Sequence, residues 1–131
     1  MALLGCFLYH SDISVDENVS CVADIVRLSR GFNENHDITG LLIFDGQHFV
    51  EYIEGPSEHV LALFGRIALD TRHTKFTPLH EAQGITQRHF SEWNVAYVSD
   101  EDANPLLAIW ALEGEAAVTC LLQLLPQLDT A

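Results

Sequence analysis

Apolar residues recur along this chain with two different spacings, and each spacing predicts one kind of element. Residues 3–11 are rich in apolar and aromatic side chains and predict a first strand. Apolar residues then follow at steps of three and four, which is typical of an amphipathic helix, and the helix should end near residues 31–33. Its apolar members are Val19, Val22, Ile25, Val26 and Phe32.

The middle of the chain predicts a β-hairpin. Residues 38–44 are rich in apolar and β-branched side chains. Asp45-Gly46 directly after them is a strong signal for a tight turn between two antiparallel strands. Residues 49–54 therefore predict the return strand of the hairpin.

A second helix and two more strands are predicted after the hairpin. Ser57 is placed to cap the helix, whose apolar residues recur at helical spacing over residues 60–68. Residues 75–85 and 92–98 predict two strands, and Pro78 weakens the first because proline cannot donate to a sheet. The order β-α-β-β-α-β-β favours an α+β fold of the ferredoxin-like type, with both helices on one face of the sheet.

The chain changes character near residue 100. No Lys or Arg follows Arg88, whereas Asp and Glu continue to the end. Asn104-Pro105 predicts the start of one helix, and residues 115–128 predict a second helix that Pro126 closes.

The two predicted C-terminal helices are interpreted as an appendage to the main domain. We expect a main domain over residues 1–100 and a helical appendage over residues 101–131. The Leu, Ile, Val and Trp side chains of the appendage must be covered, either by the open face of the sheet or by a sister subunit. A homo-oligomer is therefore expected.

Charge and length limit the classes of partner. The chain has 131 residues with 6 Lys and Arg against 19 Asp and Glu, a formal charge of −13. Such a charge opposes binding to nucleic acids and to anionic lipids, so we expect protein or small-molecule partners. We expect a cytoplasmic protein because the sequence contains no apolar run of about 20 residues and no basic segment that leads into an apolar one.

The sequence gives little support to an enzyme or a metal site. Its seven histidines and three cysteines lack the spacings of metal-binding motifs. Neither a glycine-rich phosphate loop after a strand nor a nucleophile elbow is visible. We therefore expect no catalytic domain, and each cysteine is expected to be a small buried apolar residue.

Glu51 is the residue that the strand pattern does not explain. Phe49, Glu51 and Ile53 share one side of the predicted return strand, because side chains alternate along a strand. The other two are core residues. A carboxyl group on that side must be protonated, paired or hydrogen-bonded to be buried.

Other polar residues also occur at positions where a core would not be expected to contain them. Tyr9 shares a face with Phe7 on the first strand. Asn33 comes at the end of the first helix, where a left-handed C-cap is an alternative. Arg72 and His73 end the second helix, where cations also interact favourably with the helix dipole. Together with Glu51, these side chains are expected to line one polar cleft between the two helices.

Five separated segments, in order and spacing, resemble the BLUF family of flavin-binding blue-light sensors. The segments lie between about residues 4 and 98 and read LYHS, Asn33 followed by ITGLL, FVEYIEGP, IALDTRH and RHFSEWNV. The ferredoxin-like fold of that family agrees with the strand order above. The resemblance implies a short, single-domain photoreceptor.

The resemblance also implies how FAD is held. The flavin ring would lie between the two helices, with Ile25 and Ile67 on either side of it. Asn33 would hydrogen-bond its polar edge. Arg72 and His73 would contact the carbonyl or phosphate side of the cofactor, since the arginine fork of donors suits either group.

Three residues are implied to be photoactive, and two of this chain's residues depart from the family. Tyr9 matches the tyrosine that gives an electron and a proton to the excited flavin, and Trp93 matches a tryptophan near it. Glu51 stands where the family has a glutamine that bridges the tyrosine and the flavin, so Tyr9 and Glu51 would also contact the cofactor. Val95 stands where methionine is usual, and it is stiffer than methionine.

The sequence therefore leads to two hypotheses. The first is an FAD-binding blue-light photoreceptor that signals to a partner protein or across a subunit interface. The alternative is a protein-interaction module with the same fold, in which the photochemistry is altered or absent.

Overall fold

The computed structural model describes residues 3–14, 20–98, 106–127 and 129–130. In chain order the elements are β1 (Leu4–Ile13), α1 (Ser20–Asn35), β2 (Thr39–Phe44), β3 (His48–Pro56), α2 (Ser57–Leu69), β4 (His73–Ile85), β5 (Trp93–Tyr97), α3 (Leu106–Trp110), α4 (Gly114–Leu124), a 3-10 turn (Leu125–Gln127) and β6 (Asp129–Thr130). The predicted order β-α-β-β-α-β-β is confirmed.

The strands form one mixed sheet in the order β4-β1-β3-β2-β5-β6. β1 and β3 are antiparallel neighbours at its centre, and Tyr9 is the partner of Glu51 in their register. β2 and β5 pair in parallel. The first four strands have the ferredoxin-like arrangement, with β5 added beside β2 and β4 at the far edge.

Alternation along the strands gives the sheet two different faces. Phe49 and Ile53 of β3 belong to clusters that include side chains of α1 and α2. Val50 and Tyr52 belong to a cluster on the opposite face with side chains of α3 and α4. Both predicted helices therefore cover one face, and Glu51 lies on that same face.

The C-terminal helices cover the second face of the sheet. Leu106, Ile109 and Leu121 are completely buried there among strand side chains such as Leu8 and Ile43. The sequence left two possibilities for what these helices pack against, the open face of the sheet or a sister subunit. The structure shows them packed against the sheet. The predicted boundary at residues 100 and 101 and the predicted helix start at Asn104-Pro105 lie outside the described residues.

The predicted hairpin is confirmed. Asp45-Gly46 connects β2 to β3, and Gly46 has a φ of 101°, which glycine adopts without the steric cost of a side chain. The Asp45 carboxylate accepts hydrogen bonds from the backbone N–H groups of Gln47 and His48 at 2.9 and 2.6 Å. Local side-chain bonds of this kind stabilise a turn.

Three predicted helix boundaries are wrong. α1 continues to Asn35, so Asn33 lies inside the helix and is not a left-handed C-cap. The N-cap of α2 is Pro56, and the buried Ser57 hydroxyl has no hydrogen-bond partner among the described residues. α2 ends at Leu69, so Arg72 and His73 follow the helix and do not end it. Every helix in the described part of the chain falls short of the length and hydropathy needed to cross a membrane.

Candidate functional site

A cleft opens between α1 and α2, on the face of the sheet that these helices cover. Its cavity volume is about 70 Å³. Its walls come from the two helices, from strands β1, β2, β3 and β4, and from the turn that joins α2 to β4. The lining residues are Tyr9, Ile25, Ser29, Asn33, Leu42, Phe49, Glu51, Leu63, Ile67, Asp70, Arg72 and His73.

Helical spacing explains the contribution of each helix. Ile25, Ser29 and Asn33 lie four residues apart on α1, and Leu63 and Ile67 lie four apart on α2. Residues at this spacing share one face of a helix. Each helix therefore lines the cleft with one stripe of side chains.

All seven residues that the sequence predicts as cofactor contacts line this one cleft. They are Tyr9, Ile25, Asn33, Glu51, Ile67, Arg72 and His73. Trp93, the third residue predicted to be photoactive, contacts Glu51 from β5. The polar cleft inferred from the sequence is thus present, whereas contact of its residues with a cofactor stays a prediction.

Glu51 is buried between two hydrogen-bond donors, with 5% of its surface exposed. The Tyr9 hydroxyl donates to Oε1 at 2.7 Å, and the Trp93 indole N–H donates to Oε2 at 3.0 Å. One donor comes from β1 and the other from β5. A donor on each oxygen offsets part of the cost of removing the carboxyl group from water.

The surroundings of Glu51 also change its acidity. Burial raises the pKa of Glu51 to about 7, although the hydrogen bonds from Tyr9 and Trp93 lower it. The pKa of the Tyr9 phenol is raised well above its usual range, by burial first and by the Glu51 carboxylate second. Tyr9 therefore keeps its proton at neutral pH, while Glu51 populates both its charged and its neutral form.

Asn33 brings a buried acceptor to the cleft. The residue is 1% exposed, and its side-chain Oδ1 has no hydrogen-bond partner among the described residues. A buried polar atom without a partner costs roughly 1–3 kcal/mol. Asn33 Oδ1 is therefore a position at which a bound molecule with an N–H group gains a hydrogen bond.

The turn after α2 supplies charged groups. Arg72 donates from Nε and Nη2 to the Asp70 carboxylate at 3.0 and 2.6 Å, which lowers the pKa of Asp70. His73 Nε2 donates to the carbonyl of Ile67, and His73 Nδ1 is hydrogen-bonded to Ser11 Oγ at 2.7 Å. His73 thus binds a carbonyl in the last turn of α2 and lines the cleft as well.

Trp93 is held from two sides. Its indole N–H bonds to Glu51, and the guanidinium of Arg30 on α1 lies 5.5 Å from its ring centroid. This distance suits a cation–π interaction. Val95, two residues further along β5, is buried in the same cluster as Trp93.

Comparison with known proteins identifies the family. The family model BLUF, described as sensors of blue-light using FAD, matches residues 4–96. The chain belongs to the BLUF family. The match covers most of the sheet and both helices that form the cleft, and it ends before the C-terminal helices of this BLUF protein.

Two curated relatives match the BLUF region. One is the blue light- and temperature-regulated antirepressor BluF of Escherichia coli (strain K12), 35% identical over 77 residues, which are 59% of this chain and 19% of that protein. The other is the photoactivated adenylate cyclase subunit beta of Euglena gracilis, also 35% identical over 77 residues, which are 59% of this chain and 9% of that protein. The chain therefore spans a small part of the length of either relative.

A solved BLUF structure resembles the chain over nearly its whole length. It is described as BlrB, a BLUF protein, in the dark state. It superposes with a TM-score of 0.76 at 32% sequence identity and covers 94% of this chain and 95% of its own. This likeness extends to the C-terminal helices.

Sequence reasoning missed several residues that line the cleft of this BLUF protein. Ser29 and Leu63 lie one helical turn before Asn33 and Ile67, so helical spacing was a signal that could have found them. Asp70 stands two residues before Arg72, and its pairing with that arginine had no pattern of its own in the sequence. In the described part of the chain, no three His, Cys, Asp or Glu residues come together as a metal site.

Proposed function

We propose that this BLUF protein binds FAD in the cleft between α1 and α2 and senses blue light with it. The observation that carries this proposal is the convergence of all seven predicted contact residues on one cleft. Membership of a family described as using FAD supports it. The protein would transmit its state by contact with a partner protein or a sister subunit, and we assign it no catalytic reaction.

The residues present fit a flavin ring. Such a ring has two apolar faces, and Ile25 and Ile67 offer apolar contact from two opposing helices. Its polar edge carries an N–H group between two carbonyls, which suits Oδ1 of Asn33, an acceptor that no described residue bonds. Arg72 and His73 line the same cleft and would lie along the carbonyl or phosphate side.

Tyr9 and Glu51 would form the light-responsive part of the site. When bound, the flavin absorbs blue light and accepts an electron, which no side chain of the protein does by itself. The Tyr9 hydroxyl oxygen lies 2.7 Å from Oε1 of Glu51 and donates its proton to it, so a proton can pass between the two side chains without other movement. Glu51 also fixes the Trp93 indole.

The C-terminal helices are the proposed output surface. His10 follows Tyr9 on β1 and therefore faces the opposite side of the sheet. Its ring stacks on Trp110 of α3 with a centroid distance of 4.0 Å. A displacement of β1 at Tyr9 would thus reach α3 through adjacent residues of one strand, and a partner that binds the appendage over residues 101–131 would sense it.

An absorption experiment tests this function. The protein is purified, supplied with FAD, and its spectrum is recorded before and after blue light. We expect a flavin band that shifts to longer wavelength under light and returns in the dark. A protein that binds no flavin under any condition would contradict the proposal.

A second candidate is a flavin-binding or flavin-free interaction module without a working photocycle. Glu51 in place of glutamine and Val95 in place of methionine favour it. Restoring the amide with Glu51→Gln distinguishes the two candidates. A light response that appears only in the variant supports the second, whereas a response already present in the parent protein excludes it.

A further inference from the structure

Glu51 differs from a glutamine in its supply of hydrogen-bond donors. An amide always has two N–H donors, a neutral carboxylic acid has one O–H donor, and an ionised carboxylate has none. Both oxygens of Glu51 accept hydrogen bonds, from Tyr9 and from Trp93. In its ionised form the side chain therefore has no proton to offer to a bound molecule.

An oxidised flavin requires donors from this cleft. Its ring has a single N–H, at N3, and its other polar atoms, O2, O4, N1 and N5, are acceptors. Asn33 Oδ1 is a buried acceptor without a partner among the described residues, and it suits the N3–H. The acceptors that remain on the ring are repelled by an ionised carboxylate and are bonded by a neutral acid.

We infer that Glu51 takes up one proton from solvent when oxidised flavin binds. The inference rests on the proposed function of the cleft. The proton leaves a buffer acid in solvent and forms one O–H bond on the Glu51 carboxyl group, and no covalent bond within the protein or the flavin is broken. The neutral acid then donates to the ring directly, or donates to the Tyr9 oxygen while the Tyr9 hydroxyl turns toward the ring.

The neighbours of Glu51 permit this change of charge. The titratable and charged groups that face the cleft around it are Tyr9 from β1, Asp70 and Arg72 from the turn after α2, His73 from the start of β4, and Arg30 of α1, which lies over Trp93. Asp70 and Arg72 pair with each other. Both described donors to Glu51 are neutral, so neither holds the carboxylate in its ionised form by charge.

The acidity of Glu51 sets the pH at which the proton is taken up. Burial raises its pKa to about 7 in the flavin-free protein. About nine-tenths of the groups are therefore ionised one pH unit above that value, and about nine-tenths are neutral one unit below it. Proton uptake on binding is expected near pH 8 and is expected to be small near pH 6.

Calorimetry measures the uptake directly. The flavin-free protein is titrated with FAD at pH 8 in phosphate and in Tris, whose ionisation enthalpies differ, and the difference in binding heat gives the number of protons taken up. We expect about one proton per FAD at pH 8, and an affinity that falls about tenfold between pH 8 and pH 9. An infrared spectrum of the same complex should gain a carboxylic-acid carbonyl band.

Two isosteric variants make the measurement specific. Glu51→Gln should bind FAD without the uptake and with an affinity that is constant over this pH range. Glu54→Gln is the matched control, because Glu54 is a buried carboxyl group on the same strand that bonds to Tyr52 on the opposite face of the sheet. It should keep the uptake of the parent protein.

The outcomes separate this inference from the proposed function. FAD binding without proton uptake at pH 8, or equal uptake in Glu51→Gln, would overturn the inference and leave the flavin site standing. A parent protein and a Glu51→Gln variant that both fail to bind FAD at any pH would overturn both. Uptake near one proton that disappears only in Glu51→Gln, together with the new carbonyl band, supports the inference.

Discussion

Glu51 populates both its neutral and its ionised form near neutral pH, because burial raises its pKa and two hydrogen bonds lower it. The pKa of this carboxyl group is higher in the folded protein than in the unfolded chain, so the folded state holds more protons in the interval between the two values. The contribution of Glu51 to the free energy of unfolding therefore falls as the pH rises from about 4.5 to about 7, and it levels off above that.

The first prediction follows from the direction of this pH dependence. Between pH 5 and pH 8 the flavin-free parent protein should lose a free energy of unfolding on the order of 3 kcal/mol relative to Glu51→Gln, which has no carboxyl group to ionise. Urea unfolding at both pH values measures it. A parallel pH dependence in the two proteins would show that Glu51 ionises in the folded state as easily as in water.

The second prediction concerns the hydroxyl of Tyr9. Tyr9→Phe removes a donor to Glu51, and a hydrogen bond to a charged acceptor contributes about 1.5–3 kcal/mol, more than one to a neutral acceptor. The variant should therefore be destabilised more at pH 8 than at pH 5, as urea unfolding would measure. Tyr97→Phe is the control, because Tyr97 is half exposed on β5 and its change should have little effect at either pH.

Single residues also show what the sequence can predict. Alternation along β3 was enough to assign Glu51 to a buried face, because the two apolar residues beside it fix that face. The bond from Trp93 was not predictable in this way. It depends on β5 lying next to β2, and the partners of a parallel strand are set by topology over a long stretch of chain.

At the scale of the elements, periodicity predicted the strands and helices well, and the helix ends less well. Ser57 has the side chain of a cap, yet β3 passes directly into α2 at Pro56 and the Ser57 N–H bonds to the carbonyl of Leu3. α1 continues past Asn33, whose carbonyl accepts the N–H of Ile38, and the left-handed residue is Asp37. Contacts between elements decided these ends, and local preference did not.

The third prediction tests the packing of α3 on the sheet. Ile109 is completely buried and Leu107 is 53% exposed, and both lie on this helix. Ile109→Ala should cost about 2–5 kcal/mol of unfolding free energy, because the change leaves a cavity. Leu107→Ala should change stability by about 0.5 kcal/mol or less. Thermal or urea unfolding of both variants measures the difference, and equal losses would contradict the observed orientation of α3.

For the whole molecule, the dominant property is its negative charge. With 19 acidic against 6 basic residues, like charges repel one another in the folded state. The fourth prediction is that the urea midpoint rises as NaCl is increased from about 0.02 to about 0.5 M, because salt screens this repulsion. KCl should act equally, since screening does not depend on the identity of the ion. A midpoint that falls with salt would indicate that attractive charge pairs outweigh the repulsion.

Self-association stays a prediction of the sequence. The apolar side chains of α3 and α4 that suggested it, such as Leu106 and Leu121, are buried against the protein's own sheet. The sequence could not decide between the two covers, because both bury the same residues. A light-scattering mass measurement over a range of concentrations gives the oligomeric state.

The cover that α3 and α4 provide has a practical consequence for engineering. A fusion protein cut at residue 98 would keep every residue that lines the cleft, but it would leave the far side of the sheet, including Leu8, Ile43 and Tyr52, open to water. Such a fragment would aggregate unless its fusion partner covered this apolar surface. Designers who graft this BLUF domain onto an enzyme should therefore transplant the two C-terminal helices with it, or supply an apolar substitute of matching shape.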